Sequence, residues 1–198
     1  MINQVSGRLP SLLGAILSLL AISGLAALWK ERDARWLVVL ILPTIYLFWK
    51  VNGMGQIDAL LCGLEMVALY LMFKADTESS GNIYCAFAYL FMGLAVIAKD
   101  PVGYIIPLGA YVTAQLVSGD KRKLKKWHFL WGFLIAILPL SLWLFAAWRH
   151  GAPDGYFSEL LFDQNAGRFS GTKIHSHHRP FWYFVSHFFR NLCLGHCF

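Results

Sequence analysis

The sequence predicts an all-α fold: a bundle of about six to seven membrane-spanning helices. Three observations lead there. Of the 198 residues, 58% are hydrophobic and only 14% are charged. The mean hydropathy is +0.54, a value suited to lipid rather than water. Apolar runs of about bilayer length recur along the chain, separated by short polar breaks, with no internal repeat or low-complexity stretch. The net charge of +6 comes from short Lys/Arg clusters between these runs. That placement serves orientation in a bilayer and sets nucleic acid aside as a partner. The four cysteines give neither a disulfide framework nor structural zinc. Cys62 and Cys85 lie inside apolar runs, and Cys193 and Cys197 have no matching second pair.

Residues 9–28 form the first expected span, about 30 Å as a helix. They follow Arg8 and end on small residues as a signal peptide does, but too many spans follow for that reading. The second span, 36–49, is short and contains Pro43, so Arg35 and Lys50 must reach outward to the interfaces. After the break VNGMGQ comes the third, 57–73, which carries Asp58 and Glu65. KADTESSGN is a solvated turn before the fourth, 83–98. Lys99, Asp100 and Pro101 mark a tight reversal into the fifth, 102–117. A basic stretch with five Lys/Arg in positions 121–126 precedes the sixth, 129–148, and a seventh begins near 181.

Basic residues in short loops favour the cytoplasmic side. Placing 121–126 inside puts the 30–35 cluster and the 74–82 turn there too. Residues 50–56, the 99–101 turn and a long loop, 149–180, then lie outside. The whole chain reads as one transmembrane domain with an extracytoplasmic loop.

Candidate chemistry gathers on that outer side. Asp58 stands at the edge of the third span, and Glu65 lies seven residues deeper on nearly the same face, roughly 10 Å along the axis. An acid inside a span costs a few kcal/mol unless paired or hydrated, so Glu65 is either functional or hydrogen-bonded to a neighbouring helix. Lys99 beside a reversal suits a lipid phosphate, with a solvated lysine or an ion pair to Asp100 as the alternatives. The long loop holds His175, His177 and His178, which are hydrogen-bonding or solvated residues or, with Asp163 or Glu159, ligands for a divalent metal such as zinc, although no HExxH spacing occurs. Arg168 and Arg179 offer planar guanidinium groups that match phosphate oxygens. Trp182 and Tyr183 belong to an interfacial aromatic belt at the loop's end.

GRLPSLLGAI, QIDALL around Asp58, AKDPVGYIIP, and GRF followed by HHRPFWYF occur in this order. Together they resemble the bacterial polytopic glycosyltransferases of the ArnT type, relatives of the protein mannosyltransferases, over roughly residues 7–186. The resemblance implies a GT-C-like fold and a polyprenyl-phosphate-linked sugar donor. It also implies transfer of a sugar such as 4-amino-4-deoxy-L-arabinose from undecaprenyl phosphate to lipid A or a similar envelope acceptor. The expected setting is the periplasmic face of the bacterial inner membrane. By the same resemblance Asp58 is the acid at the end of a span, Lys99 the lysine of a Lys-Gly-Pro turn, Arg168 the arginine before Phe, and His177 the histidine three before Pro180. Asp100 departs from the pattern by standing where glycine is usual. The expected first span and its acidic loop are not seen before residue 7, and the pattern drifts after Val185, so the chain reads as truncated at both ends. Two other readings remain at this stage: a transporter or flippase, favoured by Glu65, and an inactive remnant that only binds lipid.

Overall fold

A computed structural model describes residues 4–29, 34–99, 101–119 and 126–151. The chain divides after Gly151, close to the expected start of the long loop, and all described residues belong to the unit Met1–Gly151. Seven α-helices follow in order: α1 (Gln4–Leu28), α2 (Ala34–Ile41), α3 (Tyr46–Gly53), α4 (Ile57–Ala75), α5 (Gly81–Ala98), α6 (Val102–Val117) and α7 (Lys126–Arg149). Among the described residues there is no strand.

Small residues set the packing. On α1, Ser11, Gly14, Ser18 and Ala21 recur at spacings of three and four and are buried on one face. That face meets α4 at Ala59 and Gly63. A Cβ added at Gly63 would come within 2.5 Å of the Gly14 carbonyl oxygen, and one at Gly14 would collide with the Ala59 carbonyl. Helices approach this closely in lipid only where both carry small residues four apart, which maximises dispersion contact between backbones. The second crossing repeats the device. Gly132 and Ala136 of α7 pack against Tyr89 and Gly93 of α5, leaving no room for a Cβ at Gly93 or Gly132.

Contacts along these crossings fix helix directions. Ser11 meets Gln56, Gly14 meets Ala59, Gly24 meets the Tyr70 ring, and Trp29 meets Phe73, so α1 and α4 run parallel. The pairs Gly93–Ala136 and Tyr89–Gly132 make α5 and α7 parallel as well, while Gly103 packed on Ala95 closes an antiparallel α5–α6 hairpin. One end of the unit therefore holds Arg8, Gln56, Asp58, Lys99 and the end of α7. The opposite end holds Trp29, Asp76, Gly81 and Gln115. This separation is the alternation expected from the basic clusters.

Burial is inverted relative to a water-soluble bundle. Leu20, Leu130, Leu142 and many other large apolar side chains are exposed, while Ser11, Ser18, Glu65 and Gln115 are buried. Such an exterior suits hydrocarbon, and polar groups turn inward to find partners. The core proper is two clusters. One is built around Tyr89, Met72, Met92 and Tyr111, the other around Leu61, Leu64 and Ala95.

Three helical segments are long and apolar enough to cross a membrane: Gly7–Leu28, Gly81–Ala98 and Phe129–Arg149. The bent pair Ala34–Thr44 and Tyr46–Gly53 would make a fourth. The other expected spans in the described part are helical but fall short of that standard. α4 carries Asp58, Glu65 and Lys74; α6 has 16 residues, about 24 Å. α4 is central, touching α1, α3, α5 and α6, and its neighbours bury Glu65; α6 touches α4 and α5 and is apolar but short. The expected seventh span lies outside the described residues.

The short, proline-bearing span expected at 36–49 is bent in the middle. Pro43 sits in a one-turn 3-10 segment, Leu42–Thr44, and the flanking segments bend by 65°. Proline removes a backbone donor and its ring displaces the preceding turn. The Thr44 hydroxyl donates to the Ile41 carbonyl at 2.7 Å, and the Ile45 N–H donates to the Leu42 carbonyl at 3.2 Å. These bonds satisfy carbonyls that a regular helix would have used.

Candidate functional site

Asp58 lies in the first turn of α4, where a carboxylate meets the positive end of the helix dipole. The start of α4 is pinned because the Ser11 hydroxyl donates to the Gln56 carbonyl at 3.0 Å. Just before it, Gly55 turns the chain at φ 69°, a conformation that glycine adopts without strain. Lys99 ends α5, its N–H donating to the Ala95 carbonyl at 3.3 Å. Pro101 then starts α6, its carbonyl accepting from Tyr104 at 3.0 Å and Ile105 at 3.2 Å. Gly103 lets this hairpin close on Ala95. The reversal brings Lys99 back to the edge where α4 begins.

There the Lys99 Nζ forms an ion pair with Asp58 Oδ1, across 41 positions of sequence. The side chains are 37% and 45% exposed, respectively. A pair this open contributes little to stability. It does set a cation and a carboxylate side by side at one end of the bundle, where a ligand phosphate can compete for the lysine. Asp100, the ion-pair partner that the sequence offers Lys99, lies outside the described residues; the partner seen is Asp58, a pairing that the sequence did not indicate.

Glu65 is buried two turns further along α4, and its Oε1 has no hydrogen-bond partner among the described residues. Arg168, His175, His177 and Arg179 lie outside the described residues, as does most of the loop expected at 149–180. Among the described residues no group of three or more His, Cys, Asp or Glu side chains could hold a metal.

Sequence reasoning missed a second polar cluster, at the opposite end. Asp76 ends α4, where the helix dipole disfavours a carboxylate. It is held by two donors from α6, the Tyr111 hydroxyl at 2.9 Å and the Gln115 amide at 2.6 Å. Beside it the Lys74 ammonium lies 4.7 Å from the centre of the Tyr84 ring and 5.7 Å from that of Tyr70. Two hydrogen-bonding side chains four apart in an otherwise apolar helix were the available signal.

Residues 1–145 match the sequence profile described as dolichyl-phosphate-mannose-protein mannosyltransferase. The chain belongs to that family. The matched stretch includes Asp58, Lys99 and helices α1 to α6, and reaches into the last turns of α7. No curated protein and no solved structure matches the chain. Membership makes it a membrane glycosyltransferase at the level of the family, whose sugar donors are carried on polyprenyl phosphates. An inverted bundle, all-helical among the described residues, with charged groups gathered at its two ends is consistent with that class.

Proposed function

We propose that the chain, alone or as part of a longer enzyme, transfers a sugar from a polyprenyl phosphate at the bundle end that holds Asp58 and Lys99. The observation that carries this is the juxtaposition of those two side chains, in a chain of this family, at an edge they do little to stabilise. In the proposed reaction the bond between the anomeric carbon and the donor phosphate oxygen breaks, and its electron pair stays on the phosphate. An acceptor oxygen forms the new bond. Negative charge grows on the departing phosphate, and a fixed ammonium there lowers the barrier.

Lys99 supplies that ammonium, and donor binding takes it from Asp58. The released carboxylate then has work to do. With a hydroxyl acceptor it removes the hydroxyl proton; with an anionic phosphate acceptor it instead holds a cationic amine on the sugar. The motif resemblance supports the second case: 4-amino-4-deoxy-L-arabinose moved from undecaprenyl phosphate to lipid A, on the periplasmic face of the bacterial inner membrane. In this reading Arg168 and Arg179 grip phosphate oxygens from the long loop, and His177 hydrogen-bonds the substrate. His175 and His177 are the candidate ligands for a divalent metal such as zinc.

Binding of a polyprenyl monophosphate to the purified chain in detergent tests the assignment. Lys99→Met and Arg168→Ala should each weaken binding about tenfold, the loss of one charge-assisted contact worth ~1.4 kcal/mol. Asp58→Asn should keep or tighten it, because Lys99 loses its competing partner. Unchanged binding in Lys99→Met removes the lysine from the phosphate site.

A further inference from the structure

The bend at Pro43 opens a groove of about 430 Å³ between α1 and the broken α2–α3 pair, lined by Arg8, Leu12, Ala15, Pro43, Trp49 and Asn52 among others. It lies at the end of the bundle that holds Asp58 and Lys99, since a Cβ added at Gly55 would lie 3.5 Å from the Arg8 side chain and Ser11 binds Gln56. Neither Asp58 nor Lys99 belongs to its lining. Most of the wall is hydrocarbon, and Arg8 is the charged residue on it among the described residues. Asn52 supplies a second polar feature. Its Nδ2 donates to the Phe48 carbonyl at 2.6 Å, while its Oδ1 is buried without a partner among the described residues.

We infer that this groove binds an anionic glycerophospholipid of the surrounding bilayer, separately from the sugar donor. Each part of such a molecule answers one feature. Part of an acyl chain covers Leu12, Ala15 and Pro43, which would otherwise face an open notch. The phosphodiester pairs with the exposed guanidinium of Arg8, whose fork suits phosphate oxygens. A zwitterionic choline lipid would bring a quaternary cation, and among the described residues no carboxylate lines the groove to receive it. The volume falls in the ordinary range of small-molecule sites, roughly 300–1,000 Å³.

Native mass spectrometry of the full chain in detergent, titrated with dioleoyl phosphatidylglycerol or dioleoyl phosphatidylcholine, tests the assignment. One phosphatidylglycerol should be retained, bound at least about fivefold more tightly than phosphatidylcholine, since one basic residue near an anionic head group is worth ~1 kcal/mol. Arg8→Gln should bring the two lipids level. Ala15→Phe, which fills the groove and keeps the charge, should abolish retention of both. Arg8→Gln alters an exposed side chain and remains informative if Ala15→Phe does not fold. Equal retention of the two lipids by the unaltered chain would overturn the inference, as would phosphatidylglycerol binding untouched by Arg8→Gln. Displacement by an equimolar polyprenyl monophosphate would overturn it too, by assigning the groove to the sugar donor.

Discussion

Lys99 and Asp58 show how a charge earns its place in a membrane protein. Both sit at helix ends at one end of the bundle, exposed enough to meet a ligand, whereas Glu65 is buried and its Oε1 has no partner among the described residues. An ionised carboxylate there would cost several kcal/mol, and an unsatisfied buried acceptor costs ~1–3 kcal/mol on its own. Glu65→Gln keeps the shape and removes the ionisable group. It should raise the thermal unfolding midpoint in detergent, followed by tryptophan fluorescence; a lower midpoint would show that the charged form is bound by something. At this scale the sequence was partly legible. Asp58 and Lys99 stood out individually because charges are rare in apolar runs. Their pairing did not, because it depends on how deeply α4 and the α5–α6 hairpin slide past one another. Asp76 read as part of a solvated turn until Tyr111 and Gln115 were seen to hold it.

At the scale of elements, the crossing of α1 and α4 rests on Gly14 and Gly63 more than on any large side chain. Gly14→Ala would force a methyl group into the Ala59 carbonyl. It should cost about 1–3 kcal/mol as overpacking does elsewhere. Gly109→Ala has open space around its Cβ and should be neutral or slightly stabilising, as helix propensity alone predicts. Comparing the two melting midpoints separates packing from propensity, and equal shifts would mean that the crossing is not a tight contact. Helix positions were legible because hydropathy reports them directly, and the seven described α-helices fall where the first six spans were expected, α2 and α3 sharing the second. The break at Pro43 was legible only as a short, proline-bearing run. Its 65° bend and the groove it opens depend on packing against α1, which a linear pattern does not encode.

At the scale of the molecule, parallel α1–α4 and α5–α7 pairs that meet through α4 and α5, with α6 folded back antiparallel on α5, sort the polar groups to two ends. One carries the Asp58–Lys99 pair and the Arg8 groove, and the other carries the Asp76 cluster. That sidedness was legible in the Lys/Arg clusters, since charge asymmetry between loops governs insertion. Three clear spans, or four with the bent pair, are what length and composition support among the described residues. α4 and the end of α5 bring the Asp58–Lys99 pair together, and α4, with its buried Glu65, is a helix that its neighbours rather than hydropathy alone keep in place.

Sugar transfer by the full chain reconstituted in liposomes tests the central claim most directly, with a radiolabelled polyprenyl-phosphate sugar and a lipid acceptor. Asp58→Asn and Lys99→Met should each slow transfer by roughly a hundredfold or more, the scale expected when a positioned acid–base group or a charge at the leaving phosphate is removed. Transfer by both variants at the rate of the unaltered chain would contradict the account.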